Sequence, residues 1–195
     1  RGGRPGMGTG TKSLADLGLT AQSRRDAAVT GLSVDSRTVK DGHLFAALPG
    51  AKAHGGDFIG YALRMGAGSV LTDRKGAEIA RAALAESHAA LVVTEDPRQA
   101  LAFAAALWFG KQPETVVAVT GTNGKTSVAN FTRQIWTELG LQAASIGTTG
   151  VEGAFTAPSP HTTPEPVTLH RLLSDMAAAG VTHAAMEASS HGLDQ

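Results

Sequence analysis

The stretch Thr115-Val116-Val117-Ala118-Val119 runs directly into Thr120-Gly121-Thr122-Asn123-Gly124-Lys125-Thr126, and its reading decides the fold. The first five residues form a short β-branched run of the kind found in a strand buried on both faces of a parallel sheet. Beyond the glycine turn, Val128, Phe131, Ile135 and Leu139 recur at steps of three and four, which puts them on one face of a helix that stops at Gly140. A strand candidate at Ala143 to Ile146, a proline-bearing loop, a helix from about Val167 to Ala179 and a strand at His183 to Glu187 extend the alternation. Strand, turn and helix repeated in this way predict a parallel sheet with crossover helices.

Upstream, from about Leu14 to Thr94, strand candidates at Val34, Leu44 to Leu48, Ser69 to Leu71 and Leu91 to Val93 alternate with helical spacing over Asp57 to Met65 and Ala77 to Glu86. Asp96-Pro97 offers an N-cap followed by a proline at the first helical position, and the alanine-rich run to Phe109 ends at Gly110. The polar segment Lys111-Gln112-Pro113-Glu114 marks a junction. The expected organisation is a flexible, glycine-rich tail over residues 1–12, a small N-terminal α/β domain over 13–112, and an incomplete parallel-sheet domain over 113–195. Trp108 and Trp136 are expected to pack helix faces.

Composition sets limits on function. Seventeen basic and seventeen acidic residues balance to zero formal charge, which argues against a nucleic-acid or anionic-membrane partner. The absence of cysteine excludes disulfides and thiolate metal sites and fits a reducing compartment, so a cytoplasmic protein is expected. No apolar stretch approaches the roughly 20 residues that span a bilayer, and the basic first residues carry no apolar segment behind them as a signal peptide would.

The glycine turn carries the chemistry. A triphosphate is bound by successive backbone N–H groups and a helix N-terminus. Gly121 and Gly124 let the backbone come close, Thr122, Asn123 and Ser127 belong to the same loop and first helical turn, Lys125 supplies a mobile cation, and the Thr126 hydroxyl is suited to ligate magnesium. The general phosphate-loop pattern asks for a fifth-preceding glycine where this chain has Val119. A lone Gly-Lys-Thr would read as an ordinary turn with a surface lysine. Here a strand precedes it and an amphipathic helix follows.

The shortened loop Thr-Gly-Thr-Asn-Gly-Lys-Thr resembles that of the Mur ligases and the related folylpolyglutamate synthetases. Three further stretches resemble the E-type Mur ligases, which act on UDP-N-acetylmuramoyl-L-alanyl-D-glutamate. Val34-Asp35-Ser36-Arg37 with Gly42 to Gly50 is similar to the N-terminal domain that grips UDP; the resemblance implies that Val34, Ser36 and the loop Ala51-Lys52-Ala53 lie against uridine and diphosphate. His161-Thr162-Thr163-Pro164-Glu165 resembles a central loop touching the muramoyl peptide, with His161 where relatives carry asparagine. Met186-Glu187-Ala188-Ser189-Ser190-His191-Gly192 resembles the metal-and-substrate segment, which implies that Glu187 ligates magnesium opposite Thr126 and that Ser189 and Gln195 contact the UDP-sugar. His191 is either metal-proximal or a packed structural histidine.

What the resemblance implies is an ATP- and Mg2+-dependent amide ligase. The D-glutamyl carboxylate attacks the terminal phosphate of ATP, and an incoming amino acid, with diaminopimelate favoured over lysine, captures the acyl phosphate. Lys125 is the expected catalytic residue and a monomer the expected state. The chain stops within the second of the family's three domains, so no ligation by these 195 residues alone is expected. Two rivals stay open: a folylpolyglutamate synthetase-like ligase, and a nucleotide switch or non-catalytic UDP-binding module. The Asp-Ser-Arg and Met-Glu-Ala-Ser-Ser-His runs favour the muramyl substrate over a folate.

Overall fold

The computed structural model describes residues 10–22, 26–158 and 165–189. Among these the chain divides at Phe109 and Gly110 into two compact units. Residues 1–9 of the expected tail, His161, Thr162, Thr163, His191 and Gln195 lie outside the described residues.

The N-terminal unit opens with a small antiparallel pair, β1 (Lys12–Ser13) and β2 (Ala28–Val29), which the sequence reading did not foresee. Its main sheet is all parallel in the order β3 (Gly31–Ser33), β4 (His43–Ala47), β5 (Ser69–Thr72) and β6 (Ala90–Val93). The helices are α1 (Ile59–Arg64), α2 (Arg74–Ile79), α3 (Arg81–Ala85) and α4 (Pro97–Phe109). Phe45 and Ala47 of β4 join Ile59 and Ala62 of α1 in one buried cluster. Strand alternation turns Leu44 and Ala46 to the opposite face, and α4 packs across β4 and β5. Burial on both faces explains why β4 reads as a continuous apolar run. Asp96 accepts from the Gln99 N–H at 3.0 Å, the cap that its place before Pro97 implied.

Two expectations shift here. Val34 follows β3 and is not part of it, because the Asp35 carboxylate accepts from the Arg37 N–H at 2.9 Å and turns the chain after Ser33. The helix expected over Ala77 to Glu86 is two helices broken at Ala80, and the first starts earlier because Asp73 caps it through the Gly76 N–H at 2.7 Å.

The C-terminal unit has the sheet order β7 (Thr115–Val119), β10 (His183–Glu187), β8 (Ala143–Gly147), β9 (Gly150–Gly153), with helices α5 (Lys125–Glu138) and α6 (Pro166–Ala178). β7, β10 and β8 are parallel, whereas β9 folds back antiparallel on β8. The last strand thus enters between the first two, and Ile146, Leu173, Met176 and Met186 form the core beneath α6.

The expectation that β7 is buried on both faces does not hold. β7 lies at the border of the sheet, and Val116 and Val117 are exposed. Val128, Phe131, Ile135 and Leu139 do share one face of α5, but that face is exposed too, with Phe131 61% accessible. The helix is seated by its other side. Ala129 is buried, and Ser145 of β8 donates to Asn130 at 3.0 Å and accepts from the Arg133 Nε–H at 3.1 Å. The two tryptophans are half-buried; the Trp136 ring lies tilted against His183, centroids 5.1 Å apart.

Urea unfolding distinguishes the two sides. Phe131→Ala is expected to change stability by less than about 0.5 kcal/mol, as for surface positions. Ile146→Ala is expected to cost about 2–5 kcal/mol through the cavity it leaves. Acid sensitivity follows from two histidines. Burial, with Lys40 adding charge repulsion, pushes His43 below its ordinary 6.5, and burial does the same to His170. The folded state then binds fewer protons than the unfolded one, so stability falls as pH drops from about 6.5 toward the folded values. H43Q and H170Q should each flatten that acid limb in pH-dependent unfolding.

Candidate functional site

Strand register assembles the first site. Val119 and Glu187 are directly paired at the carboxyl ends of β7 and β10, and the Ala188 N–H donates to the Val119 carbonyl at 2.8 Å. The loop leaving β7 and the carboxylate ending β10 are therefore held side by side, at the end of a parallel sheet where ligands are usually bound. The loop Gly121 to Gly124 is exposed. Gly121 (φ 142°) and Gly124 (φ 80°) take backbone angles that side-chain-bearing residues avoid. Gly124 then opens α5 with no side-chain cap. The other two helices of similar length each start under a carboxylate, Asp96 on α4 and Glu165 on α6. The first N–H groups of α5 are thus left without a side-chain acceptor and carry the positive end of the helix dipole.

Lys125 reaches back across this loop, its Nζ donating to the Gly121 carbonyl at 2.6 Å. Thr126 lies one residue on, on the face of α5 that meets the sheet, and its hydroxyl donates to Glu187 Oε1 at 2.7 Å. Glu187 is 2% accessible, and its other oxygen, Oε2, accepts from the Thr148 N–H at 3.1 Å. A buried carboxylate needs such partners to offset lost hydration. Gly147 makes the arrangement possible, because a Cβ there would come within 2.5 Å of Oε2. Neither Gly147 nor Thr148 was singled out from the sequence; their signal is tertiary, since only the pairing of β8 with β10 brings them beside residue 187. Thr122, Asn123 and Ser127 are exposed around the loop, and Ser189 is half-buried two residues beyond Glu187.

A second group forms in the N-terminal unit. Val34, Ser36 and Ala53 line one cleft of about 690 Å³, together with Arg37, Phe58 and Tyr61. Ala51 and Lys52 are exposed beside it in sequence but do not line it. The Arg37 guanidinium pairs with Asp35 at 2.6 Å and, with its own backbone N–H, holds that carboxyl below the usual carboxylate range. Phe58 and Tyr61 are exposed aromatics, and Arg64 stacks over the Tyr61 ring at 5.8 Å. In the sequence, the signal available for them was two aromatic residues three apart at the start of the expected helix. A larger cleft of about 990 Å³ beside α2 is rimmed by Arg74, Lys75 and Arg81, and none of the residues expected to bind substrate lies in it.

Similarity to known proteins agrees with this geometry. Residues 28–108 match the Mur ligase family catalytic domain, and residues 119–195 match the Mur ligase middle domain. The chain belongs to the Mur ligase family. Among its relatives is the UDP-N-acetylmuramoyl-L-alanyl-D-glutamate--2,6-diaminopimelate ligase of Brucella melitensis, 52% identical over 168 residues, a match covering 86% of this chain and 33% of that protein. The enzyme of the same name from Rhizobium meliloti is 52% identical over 181 residues, covering 91% and 36%. The chain thus spans about a third of the length of these relatives. A solved structure of such a ligase superposes with a TM-score of 0.70 at 28% identity, over 94% of this chain and 37% of that one. A MurF ligase from Thermotoga maritima in complex with ADP shares the fold, with a TM-score of 0.51 at 23% identity over 82% of this chain and 32% of that one.

Gly147→Ala should push the Glu187 carboxylate aside. Faster hydrogen exchange at the Thr148 amide is the expected signature, and unchanged protection would show that the carboxylate does not depend on this close approach.

Proposed function

We propose that the protein containing this chain is the ATP-dependent ligase that adds diaminopimelate to UDP-N-acetylmuramoyl-L-alanyl-D-glutamate. The single observation that carries the reading is the Thr126–Glu187 pair at the mouth of an uncapped, glycine-opened helix. The relatives at about half identity, named for this reaction, supply the substrate.

The β- and γ-phosphates of ATP would lie across Gly121 to Thr126, taking hydrogen bonds from loop N–H groups and from Lys125 once its Nζ leaves the Gly121 carbonyl. Thr126 and Glu187 offer two hard oxygen donors 2.7 Å apart, a donor set that suits Mg2+. When bound, the metal would supply charge neutralisation on the transferring phosphoryl group. Thr126 and Glu187 would hold it, with Thr148 and Gly147 fixing the carboxylate. The rest of this unit's task is positioning and charge. The D-glutamyl carboxylate is ionised at neutral pH and needs no general base to attack phosphorus. Lys125 balances the charge that spreads over the transferring group, as fixed cations do in phosphoryl transfer.

In the N-terminal unit, Val34, Ser36 and the loop Ala51 to Ala53 are proposed to hold the UDP moiety. The Ser36 hydroxyl, the Lys52 ammonium and loop N–H groups are suited to phosphate oxygens, and the aromatic wall of Phe58 and Tyr61 offers a flat apolar surface beside them. His161, Thr162 and Thr163, with Ser189 and Gln195, are proposed contacts to the muramoyl dipeptide.

The test uses the full-length protein. ADP release should require the UDP-muramoyl dipeptide, ATP and diaminopimelate together, and replacing diaminopimelate with lysine should lower it sharply. Lys125→Ala should reduce turnover by about 10²- to 10³-fold, the scale for losing one preorganised charge-stabilising group. ADP release without the acceptor carboxylate would instead support a nucleotide switch. Turnover of a folate acceptor would support the synthetase reading.

A further inference from the structure

His54 ends the loop that starts after β4, and its surroundings are more elaborate than a loop boundary requires. The base of the loop is closed by a bridge between Pro49 and His54 and by the Gly55 N–H donating to the Leu48 carbonyl at 2.8 Å. Arg98 of α4 donates to the Pro49 carbonyl at 2.5 Å. The tip, Gly50-Ala51-Lys52-Ala53, is exposed, whereas His54 after it is buried.

The His54 side chain is 8% accessible and crosses to another element. Its Nδ1 accepts from the Gly56 N–H at 2.8 Å, which leaves Nδ1 without a hydrogen and assigns the ring hydrogen to Nε2. Nε2 faces both oxygens of Asp73, at 3.0 and 3.2 Å. Asp73 in turn caps α2 through Gly76. Burial works to raise the Asp73 carboxyl, but the Gly76 N–H and the His54 ring outweigh it and hold it below the usual range. The ring lies so close over Gly76 that a Cβ there would come within 2.8 Å of Cε1. Beside it, Thr72 donates to the Ala47 carbonyl at 2.8 Å and ties the ends of β4 and β5 together.

We infer that His54 is a positioning residue for the substrate loop: by bridging the Gly56 amide to the helix-capping Asp73, it fixes the place at which Ala51-Lys52-Ala53 meets the diphosphate of the UDP-sugar. The inference rests on the reading of that loop as a diphosphate contact. Each ring nitrogen has a separate task. Nδ1 shapes the turn that follows the loop, and Nε2–H fastens that turn to α2. An imidazole with a fixed tautomer does both at once, and neither amide side chain can. His54→Asn would keep an acceptor for the Gly56 N–H but fall short of Asp73. His54→Gln would reach Asp73 and lose the near acceptor.

The experiment compares H54N, H54Q and K52E in the full-length enzyme, measuring KM for the UDP-muramoyl dipeptide, KM for ATP, kcat and melting temperature. Both His54 variants are expected to raise KM for the UDP-sugar by about tenfold, the scale of one lost charge-assisted hydrogen bond. KM for ATP and kcat should stay within about twofold. K52E, which places a carboxylate at the loop tip, should raise the same KM, and low salt should deepen the effect. An unchanged UDP-sugar KM in H54N and H54Q, with K52E still raising it, would overturn the inference while leaving the loop assignment standing. A parallel loss in both KM values and kcat with a lowered melting temperature would overturn it as well, because it would mark a purely structural role. If K52E leaves the UDP-sugar KM unchanged, the loop assignment falls and the inference with it.

Discussion

A hydrogen bond between two side chains 61 positions apart, Thr126 to Glu187, holds the C-terminal unit's candidate site together. It exists because β10 enters the sheet beside β7, with Val119 and Glu187 in register. Had the chain placed β8 next to β7 in simple sequence order, the phosphate-type loop would have faced Gly147 and Thr148, with no carboxylate within reach. The inserted strand brings the acid, and β8 on its far side supplies the amide that orients it. Each partner is small or rigid: a threonine on the first turn of a helix, a glutamate on a buried strand and a backbone N–H after a glycine. The geometry is therefore set by backbone pairing and depends little on flexible side chains, which suits a site whose chemistry is positioning.

The N-terminal unit places its candidate residues by the same rule. Val34, Asp35 and Ser36 follow β3, the loop ending at His54 follows β4, and Asp73 follows β5. All three segments leave the carboxyl ends of neighbouring parallel strands, so they converge without long connections. A cleft lined by Val34, Ser36 and Ala53 is the outcome of that convergence.

The sequence was most readable where local chemistry dictates local structure. The glycine turn, the Asp96-Pro97 helix start and the apolar run of β4 each specify their element without help from distant residues. The side of α5 that is buried was not readable. Its apolar spacing of three and four is real, yet a helix seats on whatever its neighbours accept, and here Ala129, Asn130 and Arg133 meet Ser145 of β8. Periodicity gives a face but not which neighbour takes it. For the same reason Gly147 and Thr148 carried no signal, and neither did His54, whose partner Asp73 lies 19 positions away. Short pairings such as β1 with β2 escape a pattern search because two residues hold no period.

The borders of the C-terminal sheet are unlike each other. At one side the chain reverses into β9, and the bridge from Val151 to Ala157 wraps that margin. At the other, among the described residues, β7 presents an open ladder of backbone donors and acceptors flanked by Val116 and Val117, with the oily ridge of α5 above. A sheet shaped like this has a direction of growth. Further parallel strands can be added beyond β7 at little cost, and each would cover surface that is otherwise a liability for self-association. Extension beyond β9 would have to displace the chain already lying there.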